Sequence, residues 1–166
     1  NFYKKLCNHQ LMTISVEIIN QLSDNYSYLI SGNKDNSSII IDPAESDKIL
    51  NVLKKKKLNL NYIFITHHHS DHTSGVADLV RAYPEVKVFS PSELNSISVN
   101  VISDGNKIKT NLNEFEIVHT PGHTLDHIVL CDLKNNLLFV GDVLFRLGCG
   151  RVFEGTLEQM HSSLIK

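Results

Sequence analysis

Short apolar runs alternate with polar turns along the chain, and the period of each run predicts its element. Ser15–Ile19 alternates polar and apolar positions, as a half-buried strand does. Tyr26–Ile30 and Ser38–Ile41 flank the turn formers Gly32-Asn33-Lys34-Asp35-Asn36, which predicts two strands joined by a turn and closed by Asp42-Pro43. Between Lys48 and Lys57, Ile49, Leu50, Val52 and Leu53 share one helical stripe and leave a basic outer face. The lysines at 54–57 fit a solvated helix C-terminus, favoured by the helix dipole, better than an anion site. Tyr62–Ile65 is aromatic and β-branched and predicts a buried strand, while Val76, Leu79 and Val80 within Gly75–Tyr83 have helical spacing. Val86–Phe89, Val99–Ile102, Lys107–Ile108, Phe115–His119, Ile128–Asp132 and Leu137–Val140 read as further strands, the last two joined through Lys134-Asn135-Asn136. Thr156 and Gln159 have the spacing of a capping box, followed by an apolar face of Leu157, Met160, Leu164 and Ile165. Strands predominate and helices recur at intervals, which predicts an α+β fold of sheets covered by helices, not a repeating βαβ barrel.

Composition narrows the class. At 166 residues, with 42% hydrophobic and 20% charged positions, the chain has the make-up of one globular domain. A formal net charge of −2 offers no electrostatic case for nucleic acid or an anionic membrane. Apolar runs such as Leu137–Val140 fall far short of the roughly 20 residues that span a bilayer. Cys7, Cys131 and Cys149 are an odd and sparse set, which excludes a disulfide scaffold and points to a reducing compartment. A cytoplasmic location is expected, with the mitochondrion as the alternative, and a monomer. Residues 1–11, ahead of Met12, lack the Arg and Ser of a transit peptide and are expected to be an extension to a domain over 12–166. The helical pattern at the other end runs to Lys166 without a stop signal, so a piece of a longer polypeptide is expected.

Histidine changes the picture most. Residues 66–72 read Thr-His-His-His-Ser-Asp-His directly after a buried strand. Strand alternation turns His67, His69 and Asp71 to one face and His68 away, and His72 swings in from the following helix. So many donors exceed one tetrahedral ion with an open position and suffice for two ions. Burying them without a partner would be costly, which weighs against a purely structural cluster. In His119-Thr120-Pro121-Gly122-His123-Thr124 the Pro-Gly turn separates the two histidines, presents His123 as a ligand and leaves His119 as a structural strand residue. His127 fits either a partner behind a ligand or strand packing. Asp142 follows the apolar run 137–140, where an unpaired carboxylate would be expensive unless it bridges cations or caps a turn.

His67-x-His69-x-Asp71-His72, His123 and Asp142, in these β contexts, resemble the metallo-β-lactamase superfamily. Leu22-Ser23-Asp24-Asn25-Tyr26 and Gly148-Cys149-Gly150-Arg151-Val152-Phe153-Glu154-Gly155-Thr156 narrow the resemblance to the glyoxalase II (hydroxyacylglutathione hydrolase) family. The resemblance implies an αββα sandwich, truncated on its C-terminal side. It implies two divalent ions, zinc first and iron or manganese as alternatives: one on His67, His69 and His123, the other on Asp71 and His72, with Asp142 bridging. A further histidine ligand and a helical glutathione-binding domain are expected beyond Lys166, and His161 is no substitute for that ligand. The implied reaction is hydrolysis of S-D-lactoylglutathione to glutathione and a 2-hydroxy acid, in methylglyoxal detoxification, by hydroxide drawn from a shared water. No Ser or Cys nucleophile is needed, no Gly-x-Ser-x-Gly elbow is present, and Cys149 reads as a backbone-geometry position. Arg151 and Phe153 stand where the family contacts glutathione, Arg151 as a fork for a carboxylate, Phe153 where some members have Tyr. Gly148 and Gly150 let that loop approach a ligand closely.

Two other readings remain. Persulfide dioxygenases share the Gly-Cys-Gly-Arg element and hold one iron, although Phe153-Glu154-Gly155 and Asp24-Asn25-Tyr26 favour the hydrolase. A metal-binding chain without activity is the other. A β-lactamase is disfavoured, since nothing in the sequence reads as a signal peptide.

Overall fold

The computed structural model describes residues 13–166. The extension expected at 1–11, with Met12 and Cys7, lies outside the described residues. The strands are β1 (Ile14–Gln21), β2 (Asn25–Gly32), β3 (Ser37–Ile41), β4 (Asn59–Phe64), β5 (Lys87–Ser90), β6 (Asn100–Val101), β7 (Lys107–Lys109), β8 (Glu114–His119), β9 (Ile128–Asp132) and β10 (Leu137–Phe139). The helices are α1 (Ser46–Lys56), the single turn α2 (Ser70–Thr73), α3 (Val76–Ala82) and α4 (Leu157–Leu164). β1 to β6 form one sheet in sequence order, and the second sheet has the order β10-β9-β8-β7. The first sheet is antiparallel from β1 to β3 and parallel from β3 to β6, and α1 and α3 lie in the crossovers from β3 to β4 and from β4 to β5.

Period-2 alternation assigns each strand's apolar residues to two cores. In the first sheet Leu29, Ile40, Ile63 and Ile65 face α1 and α3, meeting Ile49, Leu53, Val76 and Leu79. Ile30, Ile39, Ile41 and Phe64 point to the other side, against Phe115, Ile117, Ile128 and Leu130 of the second sheet. β9 turns Val129 outward onto Val143 and Met160 of α4. The layers are therefore α, β, β, α, the arrangement that the resemblance implied. Phe64 joins the two sheets, stacked on Phe89 and edge-on to Phe115, each with ring centroids 4.9 Å apart.

The expected capping box is formed: the Thr156 hydroxyl accepts from Gln159 N–H while the Gln159 side chain accepts from Thr156 N–H. Several expected element boundaries shift by a residue or two, and one shift bears on the chemistry. The strand read as Leu137–Val140 ends at Phe139, because Gly141 adopts a left-handed turn (φ 48°) that carries Asp142 out of the sheet. Among the described residues no helix is long and apolar enough to cross a membrane.

Candidate metal centre

The chemistry-bearing loops gather where parallel β3 and β4 end. Their register pairs Ile41 with Phe64, which sets Asp42 beside Thr66. Asp42 is buried and left-handed (φ 52°), a conformation that Asp tolerates better than most residues. Its carboxylate accepts from Thr66 N–H at 2.8 Å and from the Thr66 hydroxyl at 2.8 Å. With its proton committed there, the Thr66 oxygen accepts from His67 Nδ1 at 3.0 Å, which leaves a lone pair on His67 Nε2. His123 reaches the same state independently: its Nδ1 donates to the Arg151 carbonyl at 2.8 Å, and a carbonyl can only accept.

The freed nitrogens meet. His69 Nδ1 lies 3.2 Å from His67 Nε2 and 3.0 Å from His123 Nε2. Two donors bound to one tetrahedral cation at about 2.0–2.1 Å stand about 3.3–3.4 Å apart, so these two edges are close to those of a metal face. Burial above all, and then the neighbouring imidazoles, push the His67 ring far below the ordinary histidine range, which keeps it neutral.

A second cluster shares His67 with the first and adds His72 and Asp142. His72 is buried, and neither ring nitrogen makes a geometrically sound hydrogen bond, although Asp42 Oδ2 lies 3.1 Å from Nδ1 and Asp142 Oδ1 lies 3.3 Å from Nε2. Burial works against a charge on this ring, but Asp42 and Asp142 outweigh it and push its pKa up to about 10. A buried imidazole held between carboxylates, with its Nε2 otherwise unmatched, fits a cation ligand oriented by Asp42. Asp142 offers one oxygen to each cluster: Oδ1 faces His72, and Oδ2 lies 3.3 Å from His123 Nε2. The donor sets therefore fit a pair of divalent cations.

Residues 22–98 and 91–166 match the profile of the Metallo-beta-lactamase superfamily. The chain belongs to this superfamily. A hydroxyacylglutathione hydrolase of Vibrio cholerae serotype O1 is 44% identical over 154 residues, 92% of this chain and 60% of the relative. One from Citrobacter koseri is 42% identical, with the same coverage of 92% and 60%. The chain thus spans about 60% of the length of these curated relatives. The crystal structure of BLEG-1, a B3 metallo-beta-lactamase, matches at a TM-score of 0.78 and 21% identity over 93% of this chain and 84% of that one, a likeness of fold.

Set against the superfamily pattern, Asp71 corrects the strand-alternation reading. It does not converge with His67 and His69, because α2 begins at Ser70 and ends the alternation there. Its Oδ2 instead lies 3.7 Å from His72 Nε2, on the second cluster's side, held by Asn25 Nδ2 at 2.9 Å. His68 does turn away, and His119 is engaged with the Leu125 carbonyl at 2.8 Å, clear of the centre. His161 stands exposed on α4. The two readings of His127 resolve: its Nε2 accepts from the Asp142 backbone N–H at 3.0 Å, and its Nδ1 meets the Thr120 hydroxyl at 2.8 Å. Burial, the largest influence, takes its pKa down to about 4, consistent with a ring that must offer a lone pair to Asp142. A third candidate cluster, His68, His69 and Glu154, fails as a further cation site. His69 already turns Nδ1 to the first cluster, and a neutral ring has only one nitrogen lone pair to give.

Roles missed in the sequence belong to Asp42, Thr66 and Asn25. Asp42 carried the same signal as Asp142, a carboxylate after a buried apolar run, and Asn25 lay inside a noted stretch. The glycine argument also shifts. A side chain at Gly150 would collide with the Asp142 carbonyl and the His123 ring, whereas Gly148 has open space, so Gly150 packs against the centre and Gly148 has no such constraint. Arg151 lends the centre its carbonyl and leaves its side chain exposed. Phe153 is exposed yet lies edge-on to His69 and His123, with centroids 5.6 and 5.3 Å away. At Gly141 a Cβ would come within 2.6 Å of Thr66 Oγ1 and 2.7 Å of His127 Nε2. Gly141→Ala is expected to destabilise the protein by about 1–3 kcal/mol, read as a lower urea midpoint at unchanged slope.

Proposed function

We propose that the protein hydrolyses S-2-hydroxyacylglutathione thioesters, S-D-lactoylglutathione among them, to glutathione and a 2-hydroxy acid. The observation that carries this reading is Asp142 offering one oxygen to each of two imidazole clusters. The similarity to the relatives named hydroxyacylglutathione hydrolase supports the substrate class. In this reading residues 12–166 form the metal-bearing domain. His67, His69 and His123 hold one cation, Asp71 and His72 the other, and Asp142 lies between them. Zinc is the proposed metal, with iron and manganese compatible with imidazole and carboxylate donors, and the protein is proposed to act as a cytoplasmic monomer.

When bound, two divalent cations supply Lewis acidity and a water that ionises near neutral pH. The chain's own residues do the rest. Thr66 and the Arg151 carbonyl hold the protons of His67 and His123 on Nδ1 and so keep Nε2 free. Asn25 holds the Asp71 carboxylate, and His127 holds the backbone N–H of Asp142. A cleft of about 520 Å³ opens beside Asp71, His72 and Asp142, with Tyr26 and Tyr28 on its wall, and gives a thioester access. Arg151 offers a planar fork to a glutathione carboxylate, and Phe153 an apolar face beside the reacting centre.

Elemental analysis of the purified full-length protein, combined with a thioester assay, tests the reading. Two ions per chain and release of glutathione are the expected result. One iron per chain with oxygen consumption would favour a persulfide dioxygenase, and metal without turnover would favour a binding protein; either outcome overturns the proposal.

A further inference from the structure

Of the four histidines between 67 and 72, only His68 turns its ring away from both donor clusters, and it does not end in solvent. Its Nδ1 lies 2.9 Å from Asp126 Oδ1 and its Nε2 lies 3.1 Å from Glu154 Oε1. The two carboxylates belong to different segments, and each is fixed from behind. Asp126 accepts from the Thr124 and Ser92 hydroxyls at 2.7 Å each. Glu154 uses its second oxygen to accept from Leu125 N–H at 2.9 Å. One imidazole therefore joins three segments: the metal-binding loop, the 122–127 turn that carries His123, and the 151–155 segment that carries Arg151 and Phe153.

Stability alone does not account for this arrangement. His68 and Glu154 have side chains 40% and 36% exposed, and pairs this open to water add little to global stability. Their position does have a consequence. Glu154 follows directly on Phe153, whose ring abuts His69 and His123, and the backbone of this segment bonds back to the turn through Phe153 N–H to His123 O (3.1 Å) and Gly155 N–H to Gly122 O (3.2 Å). We propose that His68 is a positioning residue, clasping Glu154 and Asp126 so that Phe153 and Arg151 stand at a fixed distance from the metal centre to receive the glutathione end of the substrate. The substrate half of this proposal rests on the function proposed above; the clasp itself does not.

The test uses His68→Ala, Glu154→Ala, their combination, and the conservative Glu154→Gln, all in the full-length protein. In the protein as purified, hydrogen exchange at the Phe153 and Gly155 amides is expected to quicken about tenfold in either alanine variant and no further in the double variant, with Glu154→Gln close to wild type. With metal bound, each alanine variant is expected to raise KM for S-D-lactoylglutathione about fivefold, more than it lowers kcat. Unchanged exchange in both single variants, or additive effects in the double, overturns the clasp. A fall in kcat at constant KM overturns the substrate half. A wild-type protein that leaves the thioester intact removes the proposed function, while the exchange data still decide the clasp. Should one alanine variant fail to fold, the other and Glu154→Gln carry the same comparison.

Discussion

His67→Ala and Asp142→Ala are each expected to lower kcat/KM for S-D-lactoylglutathione by about 10²–10³-fold or more, the scale seen when one preorganised electrostatic group is removed from an active site. His67 gives its one free lone pair, on Nε2, to the first cluster, so its loss opens that cluster. Asp142 is the only carboxylate of the described clusters that turns one oxygen to each side. The two variants differ in metal content: His67→Ala is expected to lose the ion of the first cluster, Asp142→Ala to weaken both sides while keeping the imidazole face of His67, His69 and His123 and so part of one equivalent. Steady-state kinetics and elemental analysis on the same preparations separate these cases. A variant with near-normal rate and full metal content would show that the ligand assignment is mistaken.

Substitution of Asp42 is expected to have the second-largest effect, although this residue belongs to neither donor triangle. Its carboxylate accepts from Thr66 N–H and the Thr66 hydroxyl, its carbonyl accepts from the Ser27 hydroxyl at 2.6 Å, and His72 Nδ1 lies 3.1 Å away. Asp42→Ala keeps the backbone carbonyl for Ser27 but strands Thr66 and His72 in a site where Asp42 is 3% exposed, and a loss of about 3–5 kcal/mol is expected in urea denaturation of the metal-free protein. Asp42→Asn is more discriminating. Its amide oxygen can still accept from Thr66 N–H, but its amide nitrogen must donate to the Thr66 hydroxyl. That hydroxyl then donates to His67 Nδ1 and drives the imidazole proton onto Nε2, the nitrogen whose lone pair a metal would need. Metal affinity is therefore expected to fall about 10–100-fold with a smaller loss of stability than in Asp42→Ala. Titration with a chelator as competitor, alongside denaturation, reads both quantities. Equal losses of stability in the two variants, with metal affinity intact, would remove the proton-relay account of Thr66.

The residues that the chain's own pattern marked as donors were those whose chemistry is expensive to bury: His67, His69, Asp71, His72, His123 and Asp142, in loops or a helix that follow runs reading as strand. Local periodicity also placed His68 on the opposite side from its neighbours, and the Thr156–Gln159 spacing formed the cap it predicts. Such features follow from sequence because they depend on a few consecutive residues, on the period of two in a strand and on the reach of one side chain to the next turn. Alternation failed at Asp71, where the single turn α2 took over one residue earlier, and it gave no hint that Asn25 holds the displaced carboxylate.

The partners came from tertiary structure alone. Asp42 and Thr66 are 24 positions apart, Asn25 and Asp71 46, and His123 and Arg151 28. No composition or spacing couples positions at such distances; the parallel register of β3 on β4 does so for the first pair, and the antiparallel return of β2 brings Asn25 to the same end of the sheet. By itself the sequence determined which groups would be costly to bury without a cation, because that cost belongs to the residue type. Only the fold decided which nitrogen of each imidazole carries its proton, because that choice depends on the acceptor that sheet packing brings against the ring.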